Sequence, residues 1–265
     1  MGIYAEMIGL PGSGKTVFYN EAIRHMEKHG VRVFNWKNGP LERWLLSLYL
    51  NKYEPFRWTG SLKSLLTLLN DRLDVVFSRS SRYESALLRS FLYSYTELVA
   101  FILSILIRRG FPPWEKELVL GRYLDSFIHF QASQAVMDKG DVILTDPGLI
   151  QRGIVLLGYG SSKVEESDIC DYLRLIPLPD VLISVRVSPE VCLKRMHKRS
   201  FPRRLRGLNE QEVMSSLDVC QEYQYIAEKE MQRCGVPLIE VENKGDLRAS
   251  IEQLHAGLDR MVNVL

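Results

Sequence analysis

Apolar residues along the chain fall into two rhythms. Short, nearly unbroken apolar runs recur at Ile3 to Ile8, Val31 to Trp36, Asp141 to Thr145, Val181 to Val187 and Pro237 to Val241. Runs of this length and continuity predict strands covered on both faces. Between them the spacing shifts to the three-to-four-residue period of amphipathic helices. One helix is predicted from Lys15 to a left-handed stop at Gly30, and another from about Trp114 to Lys139, ended by Gly140. Ser188 and Pro189 suit the N-cap and first helical position after the fourth strand. Asn209 and Glu212 have capping-box spacing. The helix they open carries Val213, Leu217, Cys220, Ala227 and Met231 on one face, and Gly235 ends it.

Strands alternating with helices predict an α/β fold with a mainly parallel sheet and right-handed crossovers, in a single domain spanning residues 1–265. The alternation breaks between the second and third strands, where about a hundred residues intervene. One crossover helix needs far fewer. Residues 38–113, rich in leucine, aromatics and arginine, are expected to form a helical insert over the C-terminal edge of the sheet, for substrate or partner contact or as a homodimer surface. Within it, Leu98 to Ile107 is about half the length needed to cross a bilayer and predicts a buried helix.

Composition changes this picture little. The 265 residues are 46% hydrophobic and 25% charged, as in a folded soluble domain. A net charge of +2 asks for neither nucleic acid nor a membrane as partner. Cys170, Cys192, Cys220 and Cys234 form no CxxC pair and adjoin no histidine at zinc-ligand spacing, so reduced, partly buried thiols are expected. No charged leader with a long apolar run precedes the first strand, which predicts a cytoplasmic protein without a signal peptide.

The chemistry concentrates at strand ends. Gly9-Leu10-Pro11-Gly12-Ser13-Gly14-Lys15-Thr16 fits GxxxxGK[ST] without a mismatch, between an apolar strand and an amphipathic helix. Its glycines let successive amides point into one concavity, and the helix N-terminus adds partial positive charge. Gly9, Pro11, Gly12, Ser13, Gly14, Lys15 and Thr16 are therefore expected to bind a nucleotide's phosphates. Lys15 would reach the β- and γ-phosphates, and Thr16 would ligate magnesium. Asp146 ends the third strand, placed to hold magnesium through water or to take a proton from an acceptor, and Gln151 and Arg152 follow about a turn later. Residues 194–207 carry Lys194, Arg195, Lys198, Arg199, Arg203, Arg204 and Arg206 and no acid. Such a segment suits a lid: Arg195, Arg199 and Arg203 would neutralise the phosphoryl group in flight, and Arg204 would contact the nucleotide.

Together the P-loop, the strand-terminal acid and the arginine-rich segment resemble the nucleoside-monophosphate kinase group, with thymidylate kinases the nearest likeness. Pro179 to Arg195 is similar to the fourth strand, next helix and lid entry of those enzymes, and Leu118 to Asp146 to their helix-then-strand passage. The resemblance implies a P-loop three-layer sandwich with five strands in the order 2-3-1-4-5, and magnesium-bound ATP as donor. It also sets Arg122 where the group often has a substrate-contacting arginine. Two motifs depart from the thymidylate kinase pattern: Asn35 to Pro40 lacks the acidic, arginine-containing stretch after the second strand, and the Asp-Arg pair of strand three is Asp146-Pro147. Arg122 and Arg152 are the candidate acceptor contacts. The expected activity is transfer of the γ-phosphoryl group to a nucleotide, nucleoside or other small metabolite. A nucleotide-binding regulator or slow ATPase is the alternative, and sulfuryl transfer a third class that the Lys15-Thr16 ending disfavours.

Overall fold

The computed structural model describes residues 2–35, 87–158 and 165–262. Strands β1 (Ile3–Gly9), β2 (Val33–Asn35), β3 (Val142–Thr145), β4 (Val181–Arg186) and β5 (Leu238–Glu242) form one sheet. Its order is β2-β3-β1-β4-β5, and every pairing is parallel. Helix α1 (Lys15–Lys28) follows β1. Between β2 and β3 lie α2 (Leu87–Ser94), α3 (Thr96–Arg108) and α4 (Pro113–Val136). Helix α5 (Leu149–Gly153) runs on into a π-turn at Ile154–Gly158, and α6 (Glu166–Leu175) precedes β4. Helices α7 (Pro189–Lys198) and α8 (Glu210–Arg233) connect β4 to β5, and α9 (Leu247–Val262) closes the described chain.

Alternation along the strands divides the core into two layers. Tyr4, Ile8, Ile143 and Leu182 face a large cluster built with α2, α3, α4, α5, α6 and α8. Ala5, Met7, Val142, Leu144, Ile183 and Val241 face a smaller one built with Phe18, Tyr19, Ala22 and Met26 of α1 and Leu254, Leu258 and Met261 of α9. Helices on both faces explain why the strands read as unbroken apolar runs rather than alternating ones.

The predicted strands all occur, with small shifts. The second spans only Val33–Asn35, and the fifth begins at Leu238. Helix α4 stops at Val136, short of Lys139, because Met137 turns to extended backbone. Gly30 and Gly235 take positive φ, as left-handed stops require, whereas Gly140, also at positive φ, lies in a turn beyond the end of α4 and stops no helix. Ser188 is the N-cap of α7 with Pro189 in its first turn, but its side chain makes no capping hydrogen bond. Asn209 and Glu212 form the full capping box: Glu212 N donates to Asn209 Oδ1 at 2.9 Å, and Asn209 N to Glu212 Oε2 at 2.8 Å. Asn209→Ala is expected to cost about 1 kcal/mol, read as a lower urea midpoint at unchanged slope.

The described part of the insert, α2 and α3, packs on one face of the sheet beside α4, whose Phe130 meets Tyr4 edge-on at 5.2 Å. The apolar surface of α3 and α4 explains this: Leu98, Ile102, Ile105, Val119 and Phe127 are all buried in the larger cluster. The part of the insert from residue 38 to residue 86 lies outside the described residues. Among the described residues no single helix is long and apolar enough to cross a membrane. The four cysteines, all among the described residues, form no disulfide; Cys192 and Cys220 are buried and Cys234 is exposed.

Candidate functional site

Strand β1 feeds directly into the loop of residues 9–16, which turns through Gly12 (φ 83°) and Gly14 (φ 95°). These left-handed values favour glycine, and space demands it as well. A Cβ at Gly12 would lie 2.9 Å from the Cys192 carbonyl oxygen, and one at Gly14 would lie 2.8 Å from Asn243 Nδ2. The loop is thus wedged between α7 and the end of β5. Gly14 is the N-cap of α1, with no capping side chain and no acid in the first turn. No acid in its own first turn offsets the partial positive charge of that helix end.

The Ser13 hydroxyl is buried and has no hydrogen-bond partner among the described residues. A buried orphan hydroxyl inside a glycine-lined concavity fits a ligand rich in oxygen acceptors, as a polyphosphate is. Lys15 Nζ folds back over the loop, donating to the Gly9 carbonyl at 2.6 Å and the Leu10 carbonyl at 3.0 Å. Thr16 is exposed on the first turn of α1.

Asp146 reaches this loop through the sheet register. Thr145 pairs with Glu6, so the next residue leaves the sheet beside the last part of β1. Its charge is felt by Tyr19, whose hydroxyl pKa is raised mainly by burial and further by Asp146. Tyr19 lies one turn beyond Thr16 on α1, so Asp146 and Thr16 belong to the same corner of the molecule.

A buried polar system fixes that corner from below. Glu6, fully buried in β1, accepts hydrogen bonds from Leu149 N and Ile150 N, each at 2.7 Å, and from the Tyr4 hydroxyl. It thereby caps α5, whose own N-cap Gly148 supplies no side chain. A Cβ at Gly148 would sit 2.3 Å from Glu6 Cδ, so only glycine admits the carboxylate. Tyr172 and Tyr223 hydroxyls donate to the Leu149 and Ile150 carbonyls at 2.6 and 3.0 Å. Desolvation pushes the Glu6 carboxyl up to about 7, against the pull of its donors and of Arg152. The helix held in this way delivers Gln151, whose Oε1 accepts from Gly9 N at 2.9 Å. Glu6, Gln151 and Asn243 were not among the sequence-predicted site residues. Glu6 alone carried a signal, as the single charge within the apolar run of β1.

Of the five lid arginines, the four assigned to the nucleotide are not gathered at one place. Arg195 touches the P-loop, with Nη1 3.2 Å from the Ser13 carbonyl and Nη2 3.2 Å from Asn243 Oδ1, while Asn243 Nδ2 donates to the same Ser13 carbonyl at 2.7 Å. Arg199 is the exposed C-cap of α7. Arg203 lies over the Trp114 ring at 4.8 Å. Arg204 pairs with Glu115 at 2.8 Å and donates to the Val155 carbonyl at 2.7 Å. Arg203 and Arg204 thus tie the segment after α7 to the start of α4 rather than to the phosphate loop. Pro11 is partly exposed at the loop's tip.

Arg122 and Arg152, predicted as acceptor contacts, come together from α4 and α5. Arg152 is largely buried, and its Nε donates to the Ser126 hydroxyl. Burial lowers its pKa first, and the neighbouring Arg122 charge lowers it further.

Fold and loop geometry define the class: a P-loop α/β sandwich with a five-stranded parallel sheet and helices inserted between strands two and three. No protein-family model matches the chain, and no curated protein sequence matches it. Among solved structures it is similar to deoxyadenosine kinase from M. mycoides. The form with dCMP and a flexible dCDP bound shares 14% identity at a TM-score of 0.43, over 98% of this chain and 100% of that one. The dCTP-bound form shares 15% at 0.43, over 97% and 100%. The dATP-bound form shares 13% at 0.44, over 97% and 99%.

Proposed function

We propose that this protein is a kinase that moves the γ-phosphoryl group of magnesium-bound ATP to a small anionic acceptor, a nucleoside monophosphate being the first candidate. The observation that carries this reading is the joint placement of a glycine-wedged P-loop, its buried unpartnered Ser13 hydroxyl and Asp146 in one corner. Gln151 ties the start of the loop to the helix that follows Asp146. The two halves of the site are therefore held in register before any ligand arrives.

In this scheme the backbone of residues 9–16 holds the phosphates and Lys15 swings from its two carbonyls onto the β- and γ-oxygens. Thr16 and Asp146 would hold magnesium, which supplies charge neutralisation on the phosphoryl oxygens. Asp146 is equally placed to take the acceptor's proton as its oxygen attacks phosphorus and the bond to ADP breaks. Arg195, Arg199 and Arg203 are assigned to charge compensation, with Arg195 already at the loop and the other two requiring movement of the segment beyond α7. Arg204 would reach a nucleotide only by releasing Glu115. The close Arg122–Arg152 pair favours an acceptor that carries negative charge, since an anion there relieves the desolvation and repulsion that now oppose Arg152. That preference, and the resemblance to thymidylate kinases, support a nucleoside monophosphate over a neutral nucleoside.

ADP release measured against panels of nucleoside monophosphates, nucleosides and sugar acids tests the reading. Acceptor-dependent ADP with at least one anionic acceptor is the expected result. ADP formed at the same rate with every panel and with none would identify a slow ATPase instead. Arg195→Lys is expected to weaken ADP binding about tenfold, because an ammonium cannot span the Ser13 carbonyl and Asn243 together. Equal dissociation constants for variant and parent would show that the bracing role of Arg195 is wrong.

A further inference from the structure

At the end of α1 remote from the P-loop, three imidazoles and two carboxylates gather on the seam between α1 and α9. His25 lies in the last turn of α1 and His29 is its C-cap, while His255 and Asp259 are four apart on one face of α9. His25 Nε2 lies 2.7 Å from Asp259 Oδ1. The His25 ring stacks on His255 at 3.9 Å and meets His29 at 4.5 Å. His255 Nε2 is in turn 3.2 Å from Glu21 Oε1.

We infer that His25, His29 and Asp259 form a binding site for a borderline divalent transition metal, zinc in the first place, that clips α9 to the P-loop helix. One ligand atom from each of the three residues lies within 4.8 Å of the other two. A tetrahedral zinc with bonds of about 2.0–2.1 Å needs donors a little over 3 Å apart, so closing the cage takes a shift of about 1–2 Å at surface side chains. The donor set suits zinc, nickel or copper and not magnesium, which prefers oxygen and retains its water.

The hydrogen bonds already select the right tautomer at one ligand. His29 Nδ1 is 2.8 Å from the His25 carbonyl oxygen, so it carries the proton there and leaves the Nε2 lone pair open. To ligate as a neutral imidazole, His25 must free Nε2 and carry its one ring proton on Nδ1, so the hydrogen bond to Asp259 breaks and both atoms turn to the ion. His255, packed flat on His25 and bonded to Glu21, orients the central ring from behind. His29 and Asp259 are exposed, so a fourth position is open to water.

The site is separate from the phosphate loop. His25 lies ten residues beyond Lys15 on the same helix, about 15 Å along its axis. Its occupation would stiffen the packing of the smaller core, which α1 and α9 share, without touching a nucleotide.

Equilibrium dialysis of the untagged chain against zinc, in excess magnesium and without nucleotide, tests the inference. Parent protein and His197→Ala, which alters a histidine outside the cluster, are expected to take up one zinc per chain with micromolar or tighter affinity. His29→Ala and Asp259→Ala alter exposed side chains and are expected to fold normally while losing affinity at least tenfold. Zinc should raise the thermal midpoint of the parent and leave that of both variants unmoved. No saturable uptake by the parent, or equal uptake by the parent and both variants, would overturn the site.

Discussion

Lys15→Ala is expected to lower phosphoryl transfer by about a hundred- to a thousandfold while the protein stays folded, the usual size of effect when one preorganised donor to developing charge is removed. Its partners include the Gly9 and Leu10 carbonyls at 2.6 and 3.0 Å, both in buried residues at the start of the loop. Losing the ammonium removes two hydrogen bonds there, a change in stability of about 1–3 kcal/mol. The ammonium's larger role arises only when polyphosphate replaces those carbonyls. A thermal midpoint within a few degrees of the parent, together with lost transfer, separates the two roles. Turnover at the parental rate would remove Lys15 from the reaction.

The second large effect is one of stability and lies at Glu6. Truncation to alanine strands three buried donors, Tyr4 Oη, Leu149 N and Ile150 N, and uncaps α5. At about 1 kcal/mol or more for each orphaned donor, Glu6→Ala should cost about 3 kcal/mol or more near pH 5. Its pH dependence has a definite sign. The folded carboxyl titrates at about 7, against an ordinary 4.5. Between those values the folded state holds a proton that the unfolded state has released. Stability from this group is therefore complete below pH 4.5 and is lost as pH rises through 7, with an upper bound of about 3 kcal/mol. The penalty of Glu6→Ala should accordingly shrink from pH 5 to pH 8 in urea titrations. A penalty that grows with pH would show that the carboxylate, not the carboxylic acid, is the favoured buried form.

The consequence reaches the site through α5. Glu6 caps the helix that carries Gln151 onto Gly9 N, so loosening the cap loosens the spacing between Asp146 and the phosphate loop. A Glu6 variant should lose turnover as well as stability, although the residue touches no ligand.

Much of this architecture was legible in the chain because the physics behind it is local. Continuous apolar runs mark strands covered on both faces, and the two core clusters that flank β1, β3 and β4 are why those runs are unbroken. The turn between β1 and α1 was legible because its glycines answer to backbone geometry, seen in the positive φ at Gly12 and Gly14. The capping box at Asn209 and Glu212 was readable for the same reason.

What escaped the sequence is long-range. Asn243 meets Ser13 across 230 residues and Gln151 meets Gly9 across 142, and no periodicity announces either pair. Glu6 could have been suspected, since a charge inside a buried strand needs partners, but those partners sit on another element. The lid arginines look alike in sequence, yet Arg195 braces the loop while Arg204 pairs with Glu115, a division set by where α4 begins. Helix α9, absent from the sequence reading, brings the histidine cluster together with α1.

Calorimetric titration of the purified chain with magnesium-ATP bears most directly on the whole account. Saturable binding of one nucleotide per chain, lost or strongly weakened in Lys15→Ala, is the predicted result. Heats indistinguishable from dilution for the parent protein would contradict it, because a wedged glycine loop that does not hold a triphosphate leaves Asp146 and the arginines with nothing to act upon.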